Sequence, residues 1–159
     1  MKKLSLILFT FISLSAFNVN AQNRSENSSN YKTAIGLKIY PTGITLKHFI
    51  SDKHALEGIA YFYNYGARIT ALYEIYREIN NTGGLRYYYG PGAHVGLYNS
   101  KYGGNTSFGV DGVLGLDYKI KSAPINLSLD WQPYINFGSG YNNGFSGDSF
   151  GLAIRYTIN

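Results

Sequence analysis

The segment from Ile125 to Phe137 reads INLSLDWQPYINF, and its side chains fall into two sets. One set takes alternate positions beginning with Ile125 and consists of Ile, Leu, Leu, Trp, Pro, Ile and Phe. The other set begins with Asn126 and consists of Asn, Ser, Asp, Gln, Tyr and Asn. Because successive side chains of a strand point to opposite faces, this alternation predicts a long β-strand with an apolar face and a polar face that carries Asp130.

Turn-forming sequences divide the rest of the chain after residue 30 into segments with similar alternation. These sequences are PTG at Pro41, SDKH at Ser51, YNYG at Tyr63, NNTGG at Asn80, NSKYGGNTS at Asn99, KSAP at Lys121 and GSGYNNGFSGDS at Gly138. Sixteen tyrosines, nine phenylalanines and nineteen glycines against one methionine also favour strands and turns over helices. The predicted strands cover about 31–40, 44–50, 55–65, 67–78, 85–98, 108–120, 125–137 and 149–158.

Eight alternating strands fit two kinds of barrel, which differ in the face that points outward. A soluble barrel buries its apolar face, whereas an outer-membrane barrel turns that face to lipid and its polar face to the lumen. Three features favour the second kind. The strands approach the ~9–11 residues that a tilted membrane strand needs. The apolar faces carry side chains as large as Tyr87, Phe108 and Trp131, which an eight-stranded interior has little room for. The polar faces mix small residues with single charges.

We therefore predict an all-β chain that forms an eight-stranded antiparallel up-and-down transmembrane β-barrel, a meander, over residues 31–159, with a polar and filled lumen. The alternative on the same pattern is a soluble periplasmic ligand-binding barrel. The two longest, Gly-rich turns, at Asn99 and Gly138, lie at the same end and predict the extracellular side.

The N-terminal residues indicate export. Lys2 and Lys3 precede an apolar run and then Val19-Asn20-Ala21, which together predict a secretory signal peptide over residues 1–21, cleaved near Ala21/Gln22. The apolar run is shorter than the ~20 residues of a spanning helix, which disfavours a membrane anchor. Residues 22–30 are polar and without periodicity, and they predict a flexible leader. The expected location is the outer membrane.

Composition excludes several other classes of protein. The chain has no cysteine, so disulfides, thiolate metal sites and a lipid-modified cysteine are impossible. No histidine or acid spacing matches a metal motif, and GPGAHVG at Gly90 does not match a nucleotide-binding loop. Loss of Lys2 and Lys3 with the signal lowers the formal charge from +5 to about +3, too little to indicate nucleic acid. We expect no metal, no cofactor and no nucleic-acid partner.

The whole chain after the signal resembles the small outer-membrane β-barrel proteins of the OmpA/OmpX-like class. The residues that carry the resemblance are the alternating strands, the stretch from Ile125 to Pro133 and the stretch YYYGPGAHVG from Tyr87 to Gly96, which is typical of a Gram-negative envelope subgroup without an assigned activity. The resemblance implies a monomer whose partners are outer-membrane lipid, lipopolysaccharide and the barrel-insertion machinery. That class includes structural proteins, adhesins, resistance factors and a few lipid-modifying enzymes. Its members usually end on an aromatic residue, whereas this sequence ends Tyr156-Thr157-Ile158-Asn159.

The charges on the predicted inner face are nearly balanced. Unpaired charges are costly in a narrow lumen of low dielectric constant, so the alternation predicts a network of ion pairs that fills the lumen, in preference to a gated ion path. The predicted members are Lys38, Lys47, Glu57, Arg68, Glu74, Arg86, His94, Asp111, Asp117, Lys119, Asp130 and Arg155. Within the network, hairpin geometry predicts that Asp130 lies opposite Gly115 and pairs with Arg155, and that Asp111 lies near His94.

Two other functions are possible besides a purely structural one: modification of lipid and binding of sugars. A lipid-modifying enzyme would need an activated nucleophile, but no serine lies in a G-x-S-x-G elbow, and an inward histidine is usually an interior hydrogen-bonding partner. We therefore expect a non-enzymatic structural or surface-interaction role, with no catalytic residue. A cluster of aromatic residues near the extracellular turns is a candidate outer-loop contact for sugars: Tyr65, Tyr102, Tyr141 and Phe145.

Overall fold

The computed structural model describes residues 31–80, 82–99, 106–137 and 144–158. The predicted signal peptide and leader lie outside the described residues, as do Tyr102 and Tyr141 of the predicted outer-loop contact. Within the described ranges the chain forms ten strands. They are β1 (Thr33–Tyr40), β2 (Gly43–Ser51), β3 (His54–Tyr63), β4 (Gly66–Glu78), β5 (Leu85–Tyr98), β6 (Thr106–Lys119), β7 (Ile125–Trp131), β8 (Tyr134–Phe137), β9 (Gly144–Ser146) and β10 (Phe150–Ile158).

All strand pairs are antiparallel, and the sheet closes on itself. Strands β1 to β6 pair in chain order, β6 then pairs with both β7 and β8, and β10 pairs with β7 on one side and β1 on the other. The short β9 pairs with β8. Strands β7 and β8 are thus two parts of one barrel strand, and β9 and β10 are two parts of the next. The fold is a closed eight-stranded antiparallel β-barrel, as the alternation predicted.

The predicted seventh strand is interrupted at Pro133, where the sequence places a residue that cannot donate to the ladder. The pairing with β6 keeps one register across the break, because Trp131 faces Leu114 and Tyr134 faces Asp111. On the other side, residues 132–133 face the three residues 147–149, so the extra residue of the bulge belongs to the last barrel strand.

The segment Gly138–Ser149 was predicted to be a loop throughout, and this is corrected by β9 within it. The strand forms because Phe145 continues the ladder opposite Ile135 after the bulge. The indole Nε1 of Trp131 donates to Gly147 O at 2.7 Å and holds the bulge against β7. Asp148, in the bulge, accepts a hydrogen bond from the Ser146 hydroxyl.

The barrel turns its charges inward and its apolar side chains outward. Every strand carries exposed large apolar residues, with Leu129 of β7 54% exposed and Leu37 of β1 61% exposed. The inner face holds buried charges from all eight barrel strands and, toward one end, a cluster of buried rings. This is the reverse of a water-soluble barrel, in which the apolar face fills the interior.

The described ranges contain no helix that is long and apolar enough to cross a membrane.

Candidate functional site

The charged side chains of the barrel interior are the candidate site, and they form layers along the barrel axis. We call the end with the β1–β2 and β3–β4 turns the upper end, and the opposite end, with the β2–β3, β4–β5 and β6–β7 turns, the lower end. Inward positions follow from the strand alternation, since every second residue of each strand is buried over most of its length. The layers are described from the lower end upward.

The lowest layer is an ion pair between Arg86 of β5 and Asp117 of β6. Arg86 Nη2 lies 2.7 Å from Asp117 Oδ1. The other carboxylate oxygen accepts hydrogen bonds from Asn126 Nδ2 at 2.7 Å and from the Tyr31 hydroxyl at 3.3 Å. The guanidinium also lies 4.9 Å from the ring centre of Phe49. Rings and donors therefore surround this pair and separate it from the lower opening.

The middle layer joins four charges from four strands. Lys47 Nζ of β2 lies 3.2 Å from Glu57 Oε2 of β3 and 2.9 Å from Glu74 Oε2 of β4. Arg155 of β10 pairs through Nη2 with the other oxygen of Glu57 and donates through Nη1 to Ser128 Oγ at 2.7 Å. Removal of any one of these charges would leave its partners buried and under-compensated, so the layer constrains the four strands together.

Asp130 lies in the next layer and pairs with Lys38 of β1, not with Arg155. Lys38 Nζ is 2.7 Å from Asp130 Oδ1, and both side chains are almost completely buried. The predicted Asp130–Arg155 pair is wrong because Asp130 faces Gly151 on β10, whereas Arg155 faces Asn126, two inward positions lower. The predicted position of Asp130 opposite Gly115 of β6 is confirmed.

Gly151 explains how Lys38 reaches across β10. A Cβ atom at Gly151 would stand 2.9 Å from Asp130 Oδ1 and 3.2 Å from Lys38 Nζ. The missing side chain leaves the space that the ion pair occupies. The remaining oxygen of Asp130 accepts a hydrogen bond from the Tyr88 hydroxyl at 2.9 Å.

In the upper layer, His94 lies next to Asp111, as predicted. His94 Nδ1 lies 2.7 Å from Asp111 Oδ2, and His94 Nε2 lies 3.1 Å from Asn136 Oδ1. The second oxygen of Asp111 accepts from Gln132 Nε2 at 2.9 Å. Both ring nitrogens are thus engaged by interior oxygens.

Two residues of the predicted network make no ion pair in the described part of the chain. Lys119, at the lower end of β6, is only half-buried and donates to the carbonyl oxygens of Ile120 and Ala123 at 2.8 and 2.7 Å. The chain turns back at this point, which brings carbonyls rather than carboxylates to the ammonium. Arg68, near the upper end of β4, is buried among tyrosine rings.

The sequence reasoning missed three buried tyrosines whose hydroxyls form hydrogen bonds with the charged groups of the interior. Tyr76 accepts from Lys47 at 2.7 Å and donates to Glu74 at 3.0 Å. Tyr61 accepts from Lys38 at 3.2 Å, and Tyr88 donates to Asp130. The signal was present, because Tyr76 and Tyr88 occupy polar-face positions of their strands, but these positions were considered only for charged residues.

The predicted outer-loop contact is described only in part. Tyr65 lies at the upper end and its ring stacks on Tyr63 at 4.9 Å and on Tyr98 at 6.0 Å. Phe145 lies on β9 and is 72% exposed. Tyr102 and Tyr141 lie outside the described residues.

Within the described ranges, no group of three His, Asp or Glu side chains is arranged to hold a metal ion.

Comparison with known proteins identifies no relative of this chain. No protein-family model matches it, and searches of curated proteins and of solved structures gave no match.

Proposed function

We propose that the chain is an integral outer-membrane β-barrel protein of the OmpA/OmpX-like class, with a non-enzymatic structural or surface-interaction role in a Gram-negative envelope. The observation that carries the proposal is the inverted distribution of side chains, with apolar residues outside and charged residues inside. In lipid, such an exterior is solvated by acyl chains, and closure of the sheet gives the barrel strands partners on both sides, although the short β9 pairs on one side only within the described residues.

The same exterior argues against a soluble periplasmic barrel. A large apolar side chain gains about 1.5–3 kcal/mol when it is removed from water, and every strand keeps such residues on the outside. Soluble monomers rarely expose a contiguous apolar patch above about 300–600 Å². An exterior of this composition would drive the chain into aggregates unless lipid or detergent covered it.

The interior supports a filled lumen rather than a pore. Ion pairs lie inside the lumen in several layers, including Arg86–Asp117 near the lower end and Lys38–Asp130 higher up. An eight-stranded barrel has an interior that side chains can fill completely. We expect planar bilayers that contain the protein to conduct no more than the protein-free leak. A steady conductance well above that leak would contradict the filled lumen.

The non-enzymatic role is supported by the surroundings of His94. Its two ring nitrogens are occupied by Asp111 and Asn136, and no serine hydroxyl of the described residues forms a hydrogen bond with it. A histidine that acts as a general base needs one nitrogen directed to a nucleophile or a substrate. We propose that His94 serves as an interior hydrogen-bonding partner, and that the chain's partners are membrane lipid, lipopolysaccharide and, during assembly, the barrel-insertion machinery.

The proposal is tested by fractionation of cell envelopes. The protein should sediment with the outer membrane, resist washing with salt and with alkaline carbonate, and dissolve only in detergent. In detergent it should be monomeric and migrate faster on a gel before boiling than after boiling, because the folded barrel is compact. Release by salt or carbonate alone would show that lipid does not hold the protein and would defeat the proposal.

A further inference from the structure

Arg68 differs from the other buried basic residues of the described chain. Lys38, Lys47, Arg86 and Arg155 each lie within 4 Å of a carboxylate oxygen. Arg68 is equally inaccessible, at 6% exposure, and no salt bridge from it is formed within the described ranges. A buried charge without a partner costs several kcal/mol, so a position of this kind calls for an explanation.

Tyrosine rings flank the Arg68 guanidinium. Its central carbon lies 4.7 Å from the ring centre of Tyr61, 4.5 Å from that of Tyr134 and 5.9 Å from that of Tyr63. Such rings attract a cation through their π faces, and they hold its plane in place. They do not satisfy the N–H donors, which point along the edges of that plane.

One edge of the guanidinium is without acceptors. Nε and Nη2 of Arg68 are both buried, and neither has a hydrogen-bond partner. These two nitrogens share one edge and form the side-on fork that matches the two oxygens of a carboxylate or phosphate. The next inward residue of β4, Thr70, also has a buried hydroxyl without a partner. Three unsatisfied polar atoms therefore belong to two neighbouring inward positions of one strand.

The position of Arg68 allows access from the upper end. It is the first charged inward residue below the β3–β4 turn, where it faces Tyr61 on β3 and Gly96 on β5. Tyr63 and Tyr134, whose rings lie beside the guanidinium, are only half-buried. Rotamer changes of partly exposed side chains are fast, and entry of an anion to the buried fork would require a movement of this kind.

We propose that Arg68 is an oxyanion-binding residue, and that its Nε–Nη2 fork takes a phosphate or carboxylate group that enters from the upper end of the barrel. The bound group supplies the countercharge that the described interior does not provide. The inference concerns a site within the barrel and does not depend on the membrane location proposed above. The same chemistry could come from a free anion or from a phosphate carried by lipopolysaccharide.

The test is a titration of the folded, ¹⁵N-labelled full chain with inorganic phosphate, followed by NMR of the arginine Nε–H signals. The Arg68 signal should shift saturably. The Arg86 signal is the control within the same molecule, because Arg86 Nε also has no hydrogen-bond partner but its guanidinium is paired with Asp117. The chemical shift of the Arg86 signal should not change with the phosphate concentration. A parallel titration with lipopolysaccharide distinguishes the source, since a shift with free phosphate assigns a soluble anion and a shift only with lipopolysaccharide assigns the lipid-borne group.

Variants give the second measurement. Arg68→Lys keeps the charge but removes the fork, and it should weaken phosphate binding about tenfold or more, because hydrogen bonds to a charged group are worth roughly 1.5–3 kcal/mol. Lys121→Gln, which removes an exposed charge at the lower end, should bind as the unmodified chain does. Absence of a saturable Arg68 shift in both titrations would overturn the proposal, even if the variants fail to fold. Equal affinity of the Arg68→Lys and unmodified chains would also overturn it.

Discussion

The Lys38–Asp130 ion pair offers the sharpest test of the interior. At an effective dielectric constant of about 20, unit charges separated by the observed 2.7 Å attract each other by about 6 kcal/mol. Asp130→Asn removes this attraction with little change in volume. The substitution also removes the free-energy cost of burying a carboxylate. This gain offsets only part of the lost attraction, because Lys38 stays buried and unpaired. We expect the free energy of unfolding to fall by about 3–5 kcal/mol.

A double-mutant cycle separates the two possible partners of Asp130. Combining Asp130→Asn with Lys38→Met should cost less than the sum of the two single changes, with a coupling of about 2–3 kcal/mol. Combining it with Arg155→Met should give a coupling within about 0.5 kcal/mol, because the two side chains share no hydrogen-bonding partner. Lys121→Met, at an exposed turn, is the control and should change stability by less than about 0.5 kcal/mol.

The assay is urea unfolding in lipid vesicles, followed by the fluorescence of Trp131, the single tryptophan of the chain. An unchanged slope with urea confirms that the variants unfold to the same extent. A loss below about 0.5 kcal/mol for Asp130→Asn would refute the importance of the pair. A larger coupling of Asp130 with Arg155 than with Lys38 would refute the arrangement of the layers.

Three further predictions concern the outer face, the close packing and His94. Leu129→Arg should destabilise the protein in lipid vesicles by about 2–4 kcal/mol, because Leu129 is 54% exposed on the exterior, and a change within about 0.5 kcal/mol would show that water covers it. Gly151→Val should cost about 1–3 kcal/mol in urea unfolding, since even its Cβ would stand 2.9 Å from Asp130, and an unchanged midpoint would contradict that packing. His94→Ala should leave the lipid A composition of the cells unaltered by mass spectrometry, whereas a changed profile would indicate a lipid-modifying enzyme.

Most of the fold could be predicted from the alternation of apolar and polar residues along the strands. The alternation divided the side chains between two faces, because the period of a strand is two and a shift by one residue would reverse every side chain. The choice of the apolar face as the outward one came from the strand lengths and from the size of the apolar side chains. The proximity of His94 and Asp111 followed from the β5–β6 hairpin, in which sequence neighbours are also neighbours in the sheet. Pro133 likewise indicated the break between β7 and β8, although not the side on which the extra residue lies.

Contacts across the lumen could not be predicted in the same way. Lys38 and Asp130 are 92 residues apart, and they meet only because the barrel closes with a particular stagger between β1 and β10. The bulge at residues 147–149 shifts the pairing of β10 with β7 by one residue. A register that is counted from the turn at Gly138 without this bulge therefore predicts the wrong partners. Arg68 was expected to form an ion pair because the lumen contains nearly equal numbers of acidic and basic residues. Equal numbers, however, do not place a carboxylate beside every basic side chain.

The outward direction of Trp131 gives the most direct test of the central claim, that the apolar exterior of the barrel faces lipid. Trp131 is the only tryptophan and is 37% exposed on the outer face of β7. In reconstituted vesicles, brominated acyl chains should quench its fluorescence strongly, whereas water-soluble acrylamide should quench it weakly. Strong quenching by acrylamide together with no effect of brominated lipid would show that the exterior is in water and would contradict the account.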